Sequence, residues 1–411
     1  MKLISISDEK FEDYKIDAIF DCYKWDPQFS DNVTIAKYAL VITEEEYKEV
    51  AKLTEDLARE TRKSEEFLLR NLSIARPLAL PKKIYKELKR MSNYDADRNI
   101  RLMRYYFHPT ISDEWVISEV NSDVPGGFAE ASLLPKLAIE ILDSDRYYSI
   151  DFGEILSETI SKKVKANGRI MFVHCTSYSD DRQVMQYIGD KMDSLGYKSI
   201  YGAVDHLSFE NKEAISILDG YEGKIDCIFR FTPLEWLKDI KPKTWDGYFD
   251  TITPSCNHPI AIFAQTKRFP LVWDDLEKYG IKLDTWRNLL PDTIEVKDIK
   301  GRDGYIYKPA CGRVGEKISI REACDDDEYK EILRDVKLHP KNYLAQKKFI
   351  SKPLKDSSGK EFHVCLGSYT VDGIHAGFYA RISEKPRIDS NAADIPVIIE
   401  RSRSNNEKRN I

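Results

Sequence analysis

A carboxylate and an amide stand two residues apart in the segment SEVNSD, residues 118–123. On a β-strand Glu119 and Asn121 would share one face. Their oxygens are hard ligands of the kind that Mg²⁺ takes from a protein, with phosphate and water oxygens completing its coordination. A polar strand end without any metal fits the same residues, so this pattern alone leaves both interpretations open.

A second candidate is the segment YKPACGRVG, in which a lysine ends a strand-like run and a glycine-containing loop follows. Gly312 and Gly315 would let backbone N–H groups approach a phosphate closely, and Lys308 and Arg313 add positive charge. The segment matches neither GxxxxGK[ST] nor GxGxxG. A glycine-rich hairpin turn is therefore an equal alternative on spacing alone.

Four further polar side chains are weaker candidates taken singly. We expect Arg104 to lie across a hairpin from Glu119, where its guanidinium would hold a carboxylate or phosphate, or simply pair with Glu119. Lys267 would either contact phosphate or be a solvated helix lysine. Gln346 would lie beside an adenine, and Arg381 ends a strand-like segment.

Composition restricts the class of protein. The chain has 411 residues, 42% of them hydrophobic and 32% charged, and 63 basic against 69 acidic residues give a net charge of −6. This balance predicts a globular protein of two to four domains without nucleic-acid partners. No apolar run has the length of a signal peptide or membrane span, so we expect no membrane contact and a cytoplasmic location. Seven scattered cysteines without a CxxC pair predict neither disulfides nor zinc.

The type of secondary structure that must position these residues differs from one part of the chain to the next. Residues 1–92 read as mostly helical, with the charged stretch after residue 44 as a solvated helix face. Residues 101–109 and 114–121 predict a hairpin, followed by a tight loop and a helix that Pro135 kinks or restarts. Residues 166–254 alternate strands and helices, which favours a small parallel sheet. From about residue 255 the pattern is that of an antiparallel sheet, and 401–411 is a frayed tail.

Taken together, these segments resemble a known family. RYYFHP, SEVNSDVPGGFAEA, TKRFPLVW, YKPACGRVGEKI, YLAQKKFI and GFYARI occur in the order found in the glutathionylspermidine synthase family, over residues 101–400. The resemblance implies an α+β and α/β fold of the ATP-grasp type with an antiparallel sheet core. It divides the chain into a helical region (1–92), a catalytic unit (93–165 with 255–400) and a small α/β domain of the kind that precedes ATP-grasp units (166–254).

The resemblance also implies a reaction and its residues. The reaction is ATP- and Mg²⁺-dependent: a small-molecule or peptide carboxylate is phosphorylated, and an amine displaces phosphate to form an amide. The implied roles are a metal pair (Glu119, Asn121), a substrate-side arginine (Arg104), phosphate lysines (Lys267, Lys308), a glycine lid (Gly312, Arg313 and Gly315), an adenine-side glutamine (Gln346) and an arginine beside the acyl phosphate (Arg381).

Departures from the family pattern qualify this expectation. Tyr106 stands where the family has an acid that is often a third metal ligand, with Asp123 or His108 as possible substitutes. The loop 124–127 lacks the hydroxyl groups of glutathione-using members, and their acidic pair falls on residues 177–178, serine and tyrosine here. We therefore expect a carboxylate other than glutathione.

Three functions remain open at this point. Besides the ligase, the sequence allows an ATP-binding module that has lost turnover, which Tyr106 favours, and a phosphotransferase that stops at a phosphorylated product. Residues 1–92 have neither the length nor the Cys/His pairing of an amidase domain, so we do not expect hydrolysis of the amide product.

Overall fold

The structure is a computed structural model that describes residues 1–25, 27–29, 32–92, 94–299, 301, 304–312 and 315–402. The α-helices in these ranges are α1 (Asp8–Phe20), α2 (Glu44–Arg70), α3 (Lys82–Arg90), α4 (Phe128–Ser132), α5 (Leu134–Leu142), α6 (Phe152–Lys163), α7 (Ser179–Ser194), α8 (Ile262–Gln265), α9 (Trp273–Lys278), α10 (Asp284–Leu289) and α11 (Asp326–Leu338).

The strands in the same ranges are β1 (Lys2–Ser5), β2 (Gln28–Phe29), β3 (Asn32–Val33), β4 (Tyr38–Thr43), β5 (Leu102–Pro109), β6 (Trp115–Asn121), β7 (Tyr147–Tyr148), β8 (Arg169–Val173), β9 (Lys198–Gly202), β10 (Leu207–Glu210), β11 (Glu213–Ser216), β12 (Gly223–Lys224), β13 (Cys227–Arg230), β14 (Ser255–Cys256), β15 (Thr293–Glu295), β16 (Tyr305–Pro309), β17 (Tyr343–Lys347), β18 (Leu354–Lys355), β19 (Glu361–Val371), β20 (Ile374–Ser383), β21 (Ala393–Ile395) and β22 (Val397–Glu400).

A six-stranded antiparallel sheet forms the centre of the molecule, in the order β21-β20-β19-β5-β6 with β18 beside β19. The hairpin β5–β6 confirms the prediction for residues 101–121. Because side chains alternate along each strand, the sheet has an apolar face and a polar face. The apolar face, with Phe107, Leu366 and Ala380, packs on α2, while Arg104 and Arg381 lie on the opposite face.

Helix α2 confirms the predicted helix but is far more buried than a solvated face would be. Thr43 caps its start in a capping box with Glu46. Glu65 is 1% exposed and pairs with Arg101 at 2.6 Å, and Glu60 accepts hydrogen bonds from the backbone at the start of α10. The acidic residues that made the stretch look solvated therefore serve as buried partners for an arginine and a helix terminus.

The N-terminal region contains strands as well as the predicted helices. Strands β1 and β4 form a four-stranded sheet with β22 and β7, in which β4 runs parallel to β22 from the other end of the chain. The segments KLIS and YALVIT are short; they pair with each other in antiparallel fashion, and the distant strand β22 extends the sheet on the other side of YALVIT. The domain boundaries themselves stay predictions.

The predicted small α/β unit has a parallel sheet in the order β14-β13-β8-β9. Helices α6 and α7 cover one face with a core that includes Leu156, Ile188 and Phe229. The helix after the tight loop restarts where expected, because α4 ends at Ser132 and Pro135 lies in the first turn of α5.

The strands β15-β17-β16 and helix α11 form a separate small lobe. Its core is its own and consists of Tyr307, Cys324, Ile332, Val336, Tyr343 and Ala345. The lobe carries Lys308 and Gln346 toward the polar face of the central sheet. The antiparallel core and the parallel sheet confirm the predicted fold class. Over the described ranges, no helix combines the length and apolar composition that crossing a membrane requires.

Candidate functional site

A cavity of about 590 Å³ lies between the polar face of the central sheet, the small lobe and the N-terminus of α7. It brings together residues that are far apart in sequence. The predicted site residues that line it are Arg104, Glu119, Asn121, Lys267, Lys308, Gly312, Gly315 and Arg381. Arg313, predicted as part of the lid, lies outside the described residues, as do residues 403–411 of the predicted tail.

Two lysines and one carboxylate meet at one end of this cavity. Lys267 follows α8, and its Nζ lies 3.0 Å from Oε2 of Glu119. Lys308, which is 5% exposed, donates from Nζ to the backbone oxygen of Ser118 at 3.1 Å. We call these residues, Glu119, Lys267 and Lys308, the Lys308 end of the cavity. Two cations against one anion leave it with a surplus positive charge that suits a phosphate.

The charges at the Lys308 end shift one another's pKa values. Burial raises the pKa of Glu119, but the ammonium groups of Lys267 and Lys308 outweigh burial, so its pKa lies below the usual value. Burial and the neighbouring Lys267 lower the pKa of Lys308 to about 8, although Glu119 acts in the opposite direction. Glu119 is therefore ionised at neutral pH, and Lys308 loses its proton at a much lower pH than an exposed lysine does.

The donor set of Glu119 and Asn121 fits one Mg²⁺ that also binds phosphate oxygens. Both side chains offer hard oxygens from the same strand. The Asn121 Oδ1 accepts from the Val124 N–H at 3.2 Å, which fixes the amide and leaves a second lone pair for a cation. Among the described residues, no three His, Cys, Asp or Glu side chains form a metal cluster. Two side chains are too few to hold a metal ion alone, so a cation at Glu119 and Asn121 would also need phosphate oxygens as ligands.

The loop of Gly312 and Gly315 lies against the site. Lys267 holds it twice, from its backbone N–H to Ala310 at 3.1 Å and from Nζ to the Gly312 oxygen at 2.5 Å. Gly315 has a φ of +68°, and a Cβ there would lie 2.5 Å from the backbone oxygen of Ile388. Only glycine tolerates both the left-handed conformation and the close approach.

Arg104 differs from its predicted position. It lies opposite Asn121, not Glu119, in the register that pairs β5 with β6. Its guanidinium donates to the backbone oxygen of Gly126 and to the hydroxyl groups of Tyr106 and Tyr369. Arg104 therefore does not pair with Glu119, and the Tyr106 hydroxyl is occupied by an arginine.

Arg381 lies on β20 opposite Cys365 of β19, inside the cavity. Its Nη2 donates to the backbone oxygen of Ala392 at 2.8 Å, and its Nε is 3.5 Å from Asp394. Asp394 also accepts from Lys24 at 2.9 Å. Burial raises the pKa of Asp394, but Lys24 and Arg381 outweigh burial and keep it below its usual value.

Gln346 lines a second, smaller cavity that shares Glu119, Lys267 and Lys308 with the first. Its amide nitrogen donates to the Thr293 hydroxyl at 3.0 Å. Its Oε1 is buried and has no hydrogen-bond partner among the described residues. The remaining walls are mostly apolar and include Phe269, Pro270, Trp286, Leu290 and Leu344. An unpartnered acceptor in an apolar slot suits the amino edge of an adenine.

The proposed substitutes for the missing acid do not behave alike. Asp123 faces away from the cavity, where it pairs with Arg230 and accepts from the Leu234 N–H, so its role is structural. His108 does line the cavity, with Nε2 3.0 Å from the Ser118 hydroxyl. Burial and the Lys308 charge lower the pKa of His108 to about 3, so the ring is neutral.

Several lining residues were missed from the sequence. Asp180 and Asp181, at the start of α7, line the cavity three residues beyond the positions where an acidic pair was expected. Lys24 reaches it from the N-terminal region and lies between Glu130 and Asp394. Aligning the family's acidic pair three residues further along the loop before α7 would have found the two aspartates. Nothing in the sequence near Lys24 points to a site.

The comparisons with known proteins agree with this architecture. A model of the glutathionylspermidine synthase preATP-grasp family matches residues 13–400. No curated protein matches the chain. A glutathione synthetase-like effector from Globodera pallida, in its apo form, has a TM-score of 0.64 at 13% identity, with 95% of this chain and 97% of that chain covered.

A protein from Methylobacillus flagellatus KT described as a gamma-glutamylcysteine synthetase has a TM-score of 0.42 at 12% identity, covering 81% of this chain and 86% of that chain. That likeness is too low to support an argument, and the first shows a shared fold only. The family match spans nearly the whole chain and indicates a ligase. The chain belongs to the glutathionylspermidine synthase family.

Proposed function

We propose that this protein is an ATP- and Mg²⁺-dependent ligase that joins a carboxylate to an amine through an acyl phosphate. The observation that carries the proposal is the Lys308 end of the cavity. Lys267 lies 3.0 Å from Glu119, and Lys308 reaches the backbone of the residue before Glu119 at 3.1 Å. Three segments far apart in sequence thus supply a clamp for a triphosphate and its cation.

The binding steps follow from the contacts of the site. The unpartnered Oε1 of Gln346 accepts from the amino group of adenine in the apolar slot. Lys267 and Lys308 bind the phosphates, and Glu119 and Asn121 hold the cation. When bound, Mg²⁺ neutralises charge on the phosphoryl group that is transferred. The loop of Gly312 and Gly315 covers these groups and excludes water that would hydrolyse an activated carboxylate.

The chemical steps take place next to Arg104 and Arg381. A carboxylate oxygen of the substrate attacks the γ-phosphorus, the bond to the ADP oxygen breaks, and an acyl phosphate forms. The amine then attacks the acyl carbon, phosphate leaves with the electron pair of the C–O bond, and the amine loses a proton. The half-buried guanidinium of Arg381 stabilises the negative charge that develops on the phosphoryl oxygens.

The loop 124–127 supports a carboxylate other than glutathione, because Val124, Pro125, Gly126 and Gly127 present no hydroxyl group to the cavity. The lack of an acidic pair at residues 177–178 does not support it, because Asp180 and Asp181 line the same cavity. These two acids instead favour a positively charged amine as the second substrate.

The test is the release of ADP and phosphate across a panel of carboxylates and amines, small molecules and peptides. We expect release that requires both a carboxylate and an amine, together with an amide product seen by mass spectrometry. Lys308→Ala lowers the release at limiting ATP because it weakens nucleotide binding, while Lys297→Ala, which changes an exposed lysine of the same lobe, does not. Failure of every pair, in a protein that binds ATP, would contradict the ligase.

The second candidate is a nucleotide-binding module without turnover. Tyr106 favours it, because a tyrosine that accepts from Arg104 replaces an acidic metal ligand of the family. Tight ATP binding without ADP formation in any substrate mixture would select this function. Release of ADP without an amine, with a phosphorylated carboxylate accumulating, would instead select a phosphotransferase.

A further inference from the structure

We infer that the Ser118 hydroxyl oxygen is a third protein ligand of the divalent cation, beside Glu119 and Asn121. The inference rests on the proposed function, since the cation accompanies the nucleotide. It assigns a role to a residue that strand alternation would have placed on the opposite face from Glu119. Three features of the hairpin β5–β6 support it.

The first feature is a β-bulge. The pairing of β5 with β6 shifts between Tyr105 and Phe107, so that Ser118 and Glu119 of β6 lie opposite Tyr106 alone. A bulge of two residues against one re-aims a side chain and is frequent next to active sites.

The faces of the neighbouring residues give the direction of both side chains. Ile117 and Val120, which flank the bulge, pair with residues of β5 that face the apolar core. The two residues between them face the other way, and both line the cavity together with Asn121. Ser118, Glu119 and Asn121 therefore present three oxygen-bearing side chains to one space.

The second feature is the contact between Ser118 and His108. The Nε2 of His108, a residue of β5 that also lines the cavity, lies 3.0 Å from the Ser118 Oγ. Because His108 lies on the polar face of the sheet, this contact places the Ser118 side chain on that face too, beside Glu119 and Asn121.

The consequence is that the Ser118 hydroxyl oxygen faces the same cavity as the oxygens of Glu119 and Asn121. Ser118 can therefore give a lone pair of this oxygen to a cation. Its backbone oxygen already accepts from Lys308 at 3.1 Å, which fixes the residue in place. The donor set becomes carboxylate, amide and hydroxyl, all hard oxygens that suit Mg²⁺ or Mn²⁺.

The third feature concerns Tyr106, at the position of the missing acid. Its hydroxyl accepts from the Arg104 guanidinium, and the Arg104 charge lies 4.9 Å from the centre of its ring. A cation at that hydroxyl would be repelled by the guanidinium. The bulge thus supplies from Ser118 the third oxygen that Tyr106 does not.

The experiment measures Mn²⁺ binding by electron paramagnetic resonance, with the full-length protein and the non-hydrolysable analogue AMP-PNP. We expect Ser118→Ala to bind Mn²⁺ about tenfold or more weakly than the wild type, the range found when support of a metal site is lost. The matched control is Ser112→Ala, a serine in the exposed turn of the same hairpin, which binds Mn²⁺ like the wild type.

A second variant distinguishes a ligand from a structural residue. Ser118→Cys replaces a hard oxygen by a soft sulfur, so the AMP-PNP complex should lose affinity for Mn²⁺ and gain affinity for Cd²⁺ relative to the wild type. A residue that only supports the fold would weaken both metals together. An unchanged ratio of Cd²⁺ to Mn²⁺ affinity in Ser118→Cys would overturn the assignment.

The same titrations separate this inference from the proposed function. If the wild type binds Mn²⁺·AMP-PNP but both Ser118 variants bind Mn²⁺ as tightly as Ser112→Ala does, the role of Ser118 is wrong and the nucleotide site stands. If the wild type adds nothing to the affinity of AMP-PNP for Mn²⁺, the proposed nucleotide site fails and the role of Ser118 fails with it.

Discussion

The two ends of the cavity have opposite charge arrangements. At the Lys308 end, Lys267 and Lys308 face the single carboxylate of Glu119. At the other end, which we call the Lys24 end, one ammonium lies between two carboxylates, Glu130 at 3.4 Å and Asp394 at 2.9 Å. A surplus of cations calls for an anionic ligand, whereas enclosed ion pairs hold the protein's own segments together.

The comparison teaches that a charge lining a cavity does not by itself bind a ligand. Lys24, Glu130 and Asp394 are each less than a tenth exposed and come from the N-terminal region, α4 and β21. They join three distant parts of the chain. We expect substitutions at the Lys24 end to change stability first, and substitutions at the Lys308 end to change nucleotide binding first.

The largest effect should come from Lys24→Met, which leaves Glu130 and Asp394 without their shared cation. Removing one partner of a buried ion pair costs about 3–5 kcal/mol, because the remaining charge stays buried. We expect the free energy of unfolding, measured in urea, to fall by that amount. The control Lys136→Met removes an exposed partner of Asp151 and should cost at most about 1 kcal/mol. Equal losses in the two variants would contradict the structural role.

The next effect should come from Arg381, which lies between the two ends. Arg381→Ala removes a half-buried guanidinium that faces the developing negative charge, so kcat of the ligase should fall about 100- to 1,000-fold. Affinity for AMP-PNP should stay within a factor of about three, since Lys267 and Lys308 are intact. Arg59→Ala, an exposed arginine paired with Asp56, is the control for kcat. A loss of nucleotide affinity with unchanged kcat would reverse the assigned roles.

Lys308→Ala should cost less free energy than Arg381→Ala does. The loss should be in nucleotide binding instead of turnover. Charge-assisted hydrogen bonds to phosphate contribute about 1.5–3 kcal/mol, so the Kd for AMP-PNP should rise about 10- to 150-fold. Isothermal titration calorimetry measures it, with Lys297→Ala as the control from the same lobe. Stability should not fall, because the variant removes a buried, partly uncompensated cation. Unchanged AMP-PNP affinity would place the phosphates elsewhere.

The smallest effect concerns pH and the same lysine. Burial and Lys267 lower the pKa of Lys308 to about 8 in the free protein, and bound phosphate would favour the charged form. AMP-PNP affinity should therefore be full below pH 7 and fall about tenfold as the pH rises from 7 to 9. In Lys308→Ala this part of the pH dependence should disappear. If AMP-PNP affinity still declines with pH in Lys308→Ala, a titrating group other than Lys308 causes the decline.

What the sequence predicts, and what it does not, follows from how local each feature is. Glu119 and Asn121 share a face because two residues on one strand do so, and the family order pointed to Lys267 and Lys308. The bulge is invisible in SEVNSD, since it depends on pairing with β5. It brought Ser118 into the cavity.

The remaining misses have the same physical origin, which is partners distant in sequence. The short strand β4 lies between β1 and β22, and β22 comes more than 350 residues later. Asp123 looked like a metal ligand, yet it forms a salt bridge with the buried Arg230. Acidic residues of α2 looked solvated until Arg101 was found beside Glu65. A linear pattern shows the chemistry that a side chain has and leaves open which distant charge it meets.

The most direct test of the account is a crystal structure of the protein with AMP-PNP and Mn²⁺, in which anomalous scattering locates the metal. The account predicts Mn²⁺ bound by Glu119 and Asn121, phosphates in contact with Lys267 and Lys308, and the adenine beside Gln346. A nucleotide bound elsewhere, or phosphates out of reach of both lysines, would contradict it.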